Sequence, residues 1–445
     1  MHNTTDLIKF IIDESLKKGA DIAEVIQSSS QSLSVSTRLA KRENVKNAES
    51  QAIGLRVIID GKQSLVATND FNKDSLHNLI SKAILMAKSV PEDPYIDIAN
   101  TPVPKSELLD LQLYDDTLMD LSTLTDLAKQ TEEEALNVNG ITNSNGAKAT
   151  YGINSFIISN SIHNEIYSYI TSLNSISVSI VAGTGTDMQT DYYYSMARFA
   201  GDLESPHSIG TKAANLALKK LFPKKIITNN IPVVFAPRVA SSILSDFIKS
   251  INGYTIAKGA SFLKDKLHTP IFSSAINITD DPWRTKGIYS TPFDDECVKN
   301  PSLNLVQDGI LTNWLLDLSS AKKLGLQSNG RAQRSFSSVP MPGSTNVFFH
   351  PGISSPQDLI SNIKYGFYVT DLFSTDLNLV TGDYSRGAAG FAIENGVITY
   401  PVNEVTIASN LLSMFKTLSL ANDLEFRYGI DSPTLLIPSM MVGGV

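Results

Sequence analysis

Cysteine is nearly absent from this chain: one residue, Cys297, in 445. A single thiol excludes any intrachain disulfide, and with no signal-peptide pattern at the N-terminus the expected compartment is the cytoplasm. Histidine is scarce too, with six residues, His2, His77, His163, His207, His268 and His350. No two share a helix, so H-E-x-x-H and its variants with ligands one turn apart are excluded. A zinc site assembled from distant histidines stays open, although each reads more simply as a surface or hydrogen-bonded residue. Runs of about 18 apolar residues are missing, which excludes a spanning helix. A basic surplus is missing as well: Lys and Arg number 37 against 45 Asp and Glu, a formal charge of −8. Nucleic-acid binders need cations to neutralise phosphates, so neither a nucleic acid nor a membrane is an expected partner. Neither G-x-S-x-G nor a P-loop occurs, and GTGTDM (183–188) reads as a hairpin end.

What is present suits a globular protein of two or three domains: 42% hydrophobic and 18% charged residues. DLIKFIIDESLKKGA opens as an amphipathic helix with Leu7, Ile8, Ile11, Ile12 and Leu16 on one face. Ser32–Arg38 alternates like a half-buried strand, and Asp60-Gly61 sits between two β-rich runs as a hairpin turn. Helical patterns follow at 74–88, 121–138 and near 206–221, with a meander of strands across 141–180. The four lysines Lys219, Lys220, Lys224 and Lys225 around Pro223 read as cations at a helix C-terminus. Beyond 222–230 come a helix at 239–251 and short β runs, with hairpin signals at Asp308-Gly309 and Asn395-Gly396. The expected class is α+β: an N-terminal α/β region with an antiparallel sheet and a β-rich C-terminal domain. The expected divisions are 1–105, 106–225 and 226–445.

Two stretches could carry chemistry. Asp294-Asp295-Glu296 precedes Cys297 and should raise the thiol pKa, the wrong direction for a nucleophile, so Cys297 reads as inert. The acid run itself reads as a solvated loop, since consecutive carboxylates converge poorly on a cation. TGDYSRGAAGFAIENG (381–396) is the sharper candidate. Gly387 and Gly390 could let another backbone approach closely, and strand-like flanks suggest an interruption able to bind an extended peptide. A bulge or tight corner with a structural Arg386 is the alternative. Candidate peptide- or partner-binding residues are Gly382, Asp383, Tyr384, Ser385, Arg386, Gly387 and Gly390; no catalytic and no metal-binding residue is assigned.

GDYSRGAAGFAIENGVITYPVNEVTIASNL resembles the PmbA/TldE branch of the TldD/PmbA family. DLIKFIIDESLKKGADIAEV, DDPWRTKGIYSTPFDDE, VQDGILTNWLLDLSSAKKLG, SNGRAQRSFSSVPMPGSTN and LANDLEFRYGIDSPTLLIPSMMVGG continue the likeness in order over essentially the whole chain. The resemblance implies a PmbA/TldD-like fold and a subunit of a metallopeptidase that degrades or trims unfolded and small peptides. It implies a TldD-like partner, which carries zinc through an H-E-x-x-x-H helix and a C-terminal cysteine. An older family name, modulator of DNA gyrase, finds no support as DNA binding in this acidic chain. The metal helix should fall in SSILSDFIKSINGY (241–254), which offers Ser245, Asp246 and Lys249 but no histidine, and FRYGIDSPTLL has no cysteine. No cofactor is therefore expected in this chain, whose expected role is the non-catalytic partner. A homodimeric peptide-binding or regulatory protein and a peptidase with non-standard metal ligands are the alternatives.

Overall fold

In the computed structural model, which describes residues 4–444, the opening amphipathic pattern forms helix α1 (Thr4–Lys17). Ile8, Ile11 and Ile12 are buried, while Leu16 turns outward. Three strands follow, β1 (Ile22–Arg38), β2 (Lys41–Ile59) and β3 (Lys62–Thr68), then helix α2 (Lys73–Ser89). After a connector rich in proline come α3 (Leu121–Leu136), β4 (Ile141–Asn160), β5 (Tyr167–Ala182), β6 (Gln189–Ala197) and α4 (Pro206–Lys219). The six strands form one antiparallel sheet in the order β3-β2-β1-β4-β5-β6. Residues 1–105 and 106–225 are therefore joined edge to edge through β1 and β4. Helices α1 and α2 pack Ile11 and Ile80 against Val25 and Leu55, and α3 and α4 pack Leu124 and Ile209 against Ala147 and Ile176.

The strands run longer than their sequence signal. Ser32–Arg38 is only the end of the 17-residue β1, because Ser28–Ser32 holds no apolar residue to reveal the alternation. Pairing on both sides supplies what the side chains do not: β2 and β4 flank this segment throughout. The β1–β2 turn was also hidden. Leu39 and Ala40 take φ of 50° and 61° without glycine or asparagine, a costly conformation for side chains with a Cβ. Buried Glu132 of α3 holds it, its two carboxylate oxygens accepting from the Leu39 and Ala40 amides at 2.8 and 3.2 Å.

The C-terminal domain begins with β7 (Asn229–Phe235) and helix α5 (Pro237–Ser250). Its main sheet adds β8 (Tyr365–Leu377), β9 (Asp383–Glu394), β10 (Val397–Asn410) and β11 (Leu435–Gly443). The order is β10-β9-β8-β7-β11 with the two-residue strand Ser419–Leu420 beside β11, and β11 pairs again with β10, so the sheet closes into a barrel with no open edge along β9. Among the described strands of this sheet, β7 and β8 pair in parallel and the others antiparallel. Beside it lies a sheet of five short strands, Ile278–Asp280, Leu303–Gln307, Ile310–Leu311, Val347–Phe349 and Ile430–Asp431. Asn395-Gly396 and Asp308-Gly309 are hairpin turns with positive φ at both residues. The largest apolar cluster joins Val233 and Phe235 of β7, Ile243 and Phe247 of α5, and Phe272 and Phe415. Each fully buried phenylalanine there contributes roughly 2–3 kcal/mol.

The acid run is not a solvated loop. Asp294 and Glu296 are buried, because backbone amides take the place of water. Asp294 accepts from the Glu296, Val298 and Ala332 amides, Asp295 from Arg334 N and Glu296 from Leu318 N. Glu24 of β1 meets Arg334 at 2.7 Å close by, so this cluster lies where the first sheet touches the C-terminal domain. Burial also pushes the Cys297 thiol well up, so it is an inert core residue.

Burial lifts the Asp295 carboxyl to about 6, above its unfolded value of about 3.9. A carboxyl raised on folding contributes stability that is complete below about pH 4 and is lost as pH rises through 6. Asp295→Asn removes the titration and keeps an oxygen for Arg334 N. The variant should gain on the wild type in urea-unfolding free energy between about pH 4 and pH 7. A difference that stays flat with pH would count against a buried, destabilising charge.

Candidate functional site

Helix α5 starts at Pro237, whose missing amide hydrogen costs nothing at the first helical position. Val239, Ala240, Ile243, Leu244 and Phe247 form its buried stripe, and Ser241, Ser242 and Ser245 return their hydroxyls to the helix backbone. Asp246 also lies on the buried side, fully enclosed. One of its oxygens accepts from Lys249 Nζ at 2.9 Å and the other from Arg386 Nη2 at 2.8 Å. Both carboxylate oxygens are thus engaged by cations, which leaves a poor metal ligand.

Arg386 comes from strand β9, and here the reading of 381–396 needs correction. The segment is not an interruption between strands; residues 383–394 are a strand, paired by β8 on one side and β10 on the other. Strand addition finds no free edge there, because barrel closure has used both. Side chains alternate as pleating requires: Tyr384, Arg386 and Gly390 are buried, whereas Ser385 and Gly387 are half-exposed on the opposite face. Gly382 forms the preceding turn at φ 80°, and exposed Asp383 accepts from Thr381 Oγ1 and Asn410 Nδ2. Those hydrogen bonds hold the Asp383 carboxyl below its ordinary value. Close backbone approach does occur, at Gly390, where a Cβ would meet Tyr368 O at 1.9 Å. Gly387 has room, its nearest neighbour being Phe373 Cβ at 3.4 Å.

The N-terminal end of α5 opens on a cavity of about 490 Å³. Tyr192, Tyr193 and Tyr194 of β6 line one side and Tyr289 and Tyr428 another, with Arg238 and Ser241 of α5 at the base. Its position is set by four charges from four elements. Arg238 bonds Asp191 of β6 at 3.0 Å and Asp371 of β8 at 2.5 Å, and Lys220 reaches the same two carboxylates at 2.7 and 2.8 Å. Burial pulls the Asp371 carboxyl up, but Arg238 and Lys220 outweigh it and hold the group low. Lys220 therefore does more than end a helix. Arg427 packs over the rings of Tyr193 and Tyr428 and pairs with Glu204.

This cavity escaped the sequence reading. Consecutive tyrosines 192–194 alternate across a strand and give no local sign of converging with residues 423–432. The segments singled out by resemblance, α5 and FRYGIDSPTLL, do meet at it. The histidines stay scattered, and among the described residues no three His, Cys, Asp or Glu side chains gather as a metal-binding cluster.

Removing Asp246 leaves the Arg386 guanidinium buried without its partner, so Asp246→Ala should cost about 3–5 kcal/mol in denaturant unfolding. The apolar pair Asp246→Leu with Arg386→Met should recover most of that loss; an additive double variant would refute a coupled pair. Separately, Gly390→Ala should destabilise by about 2 kcal/mol or more through its clash with Tyr368 O, and Gly387→Ala by about 0.5 kcal/mol or less. Equal losses at the two glycines would mean that the close approach is not where the backbone places it.

Comparison with known proteins gives the same frame. Residues 23–87, 114–221 and 228–444 match, in order, domain 1, the central domain and the C-terminal domain of the PmbA/TldA metallopeptidases. The chain is 34% identical to a Haemophilus influenzae protein named metalloprotease PmbA homolog, covering 98% of this chain and 95% of that one. It is 33% identical to the metalloprotease PmbA of Escherichia coli O157:H7, over 96% and 93% of the two chains. A solved structure from Bacteroides thetaiotaomicron, described as a modulator of DNA gyrase, superposes with a TM-score of 0.90 at 26% identity over 100% of both chains. TldE from Thermococcus kodakarensis shares the fold, with a TM-score of 0.84 at 19% identity, over 98% of this chain and 100% of that one. Three domain matches in order and one-third identity along nearly the full length place the chain in the PmbA/TldD metallopeptidase family.

Proposed function

We propose that this chain is the non-catalytic, TldE-like subunit of a cytoplasmic TldD/TldE-type metallopeptidase acting on unfolded and small peptides. The observation that carries the reading is the chemistry of α5. Where the resemblance puts a zinc-binding helix, α5 offers Ser245, Asp246 and Lys249, and Asp246 is held between Lys249 and Arg386. A catalytic zinc needs about three nitrogen, oxygen or sulfur ligands and an open position. One carboxylate with both oxygens occupied by cations does not fit that ion. The zinc and the activated water then belong to a TldD-like partner, and this chain completes the chamber and holds substrate. Within 382–390, the half-exposed face with Ser385 and Gly387 is the part available for contact with that partner, since Tyr384, Arg386 and Gly390 face the core.

Hydrolysis of an unstructured peptide by this chain, alone and mixed with the H-E-x-x-x-H chain of the same organism, tests the assignment. The expected result is no cleavage alone and chelator-sensitive cleavage in the mixture. Robust cleavage by this chain alone would falsify the non-catalytic reading.

A further inference from the structure

Beside the tyrosine cavity lies a second hollow of about 250 Å³, and the two share Arg427 and Asp431 as a common wall. Four cations surround the second hollow: Arg198, Arg284, Lys286 and Arg427. Three are already engaged. Arg198 donates to the carbonyls of Ser172, Gly287 and Ile288, Lys286 pairs with Asp202 at 2.8 Å, and Arg427 pairs with Glu204. Arg284 is different. Its guanidinium stacks 3.4 Å from the Phe426 ring centroid, half-buried, and among the described residues it makes no ion pair or hydrogen bond. The nearby acids attract it without a direct contact: Asp431 is engaged by the amides of residues 427–429, and Asp281 accepts from Trp283 N. Burial lowers the Arg284 pKa, against the opposing pull of the Asp431 and Asp281 carboxylates.

A stacked, half-buried guanidinium with unused donors is shaped for a planar anion bound by two parallel hydrogen bonds. A carboxylate suits it better than a phosphate. One free guanidinium matches one negative charge, and Asp202 and Asp431 on the same wall disfavour a dianion. The adjoining cavity asks for a different group. Its charged side chains are largely engaged already, Arg238 by Asp191 and Asp371, Asp423 by Thr434 and Asp431 by backbone amides, and the apolar surface it offers is tyrosine rings with Leu216 and Ile430. Aromatic walls of this kind take a large apolar or aromatic side chain.

We propose that Arg284 and the tyrosine cavity form one two-part site for a peptide, Arg284 binding a carboxylate and the cavity an adjacent aromatic or large apolar side chain. The inference rests on the peptide-handling reading and deepens it, giving the substrate-holding subunit a preference for acidic ends or acidic residues next to bulky ones. The carboxylate comes either from the peptide C-terminus or from an Asp or Glu side chain, and both present the same planar anion.

Fluorescence anisotropy on the full chain separates the possibilities with three fluorescein-labelled peptides. They are Gly-Ser-Ala-Phe as the free acid, the same peptide amidated, and amidated Gly-Ser-Ala-Phe-Asp. The free acid, the Asp peptide or both should bind tighter than the plain amide by about tenfold or more. The tighter of the two identifies the carboxylate source. Arg284→Gln should reduce the carboxylate peptides to the level of the amide, Arg284→Lys should keep part of the preference, and Tyr428→Ala should weaken all three together. A purely structural Arg284 would lower the melting temperature of Arg284→Gln without altering the peptide preference, whereas a binding Arg284 loses the preference whatever the lost stack on Phe426 costs in stability. Equal binding of all three peptides, binding of none, or an unaltered Arg284→Gln variant overturns the site. Cleavage by the same preparations mixed with the histidine-bearing chain keeps the two claims apart. Active mixtures without peptide preference would sink only the site, whereas inactive mixtures would sink the subunit reading.

Discussion

Asp191, Lys220, Arg238 and Asp371 form the junction on which the rest of the structure depends. Each comes from a different part of the chain: the edge strand of the first sheet, the end of α4, the first turn of α5 and a barrel strand. Two carboxylates and two cations in alternating contact satisfy one another, so burial at the domain boundary does not strand a charge. Removing any one would leave an unbalanced charge behind. The network therefore fixes how α5 meets the first sheet, and that meeting shapes the tyrosine cavity.

The second consequence concerns α5 itself. A helix leaving a parallel strand of a closed barrel points its first turn at the cavity and buries its middle. Asp246 sits in that buried middle and is tied to β9 by Arg386, so the position that could host chemistry is used to join helix and barrel. The same strand explains the small residues around it. Gly390 lets β8 approach, beside a shift of register in the pairing with β8.

Much of this was legible residue by residue. The helical stripes of α1, α2 and α5 and the Asp-Gly and Asn-Gly turns are local properties, decided by side-chain periodicity and by which residues tolerate positive φ. The missing histidines and cysteine on α5 and at 426–436 are equally local, and they carried the functional reading. Misreadings arose where partners were distant. The acid run 294–296 looked solvated because its amide donors at 298, 318, 332 and 334 cannot be found by proximity in sequence. The Leu39-Ala40 turn was invisible because Glu132, which secures it, lies on another element.

By itself, then, the sequence determined the α+β class, the main helices and hairpins, and the absence of histidine from the resembling helix, since each follows from residue identity and short-range geometry. Only the tertiary structure decided that TGDYSRGAAGFAIENG runs into a barrel strand paired on both sides, with irregularities in its register. It alone also showed that Arg386 is spent on Asp246, that five tyrosines converge at a domain boundary, and that the Arg284 guanidinium, stacked on Phe426, makes no ion pair or hydrogen bond among the described residues. Those outcomes depend on strand pairing and charge matching between residues far apart in the chain, and no local pattern records which distant groups will meet.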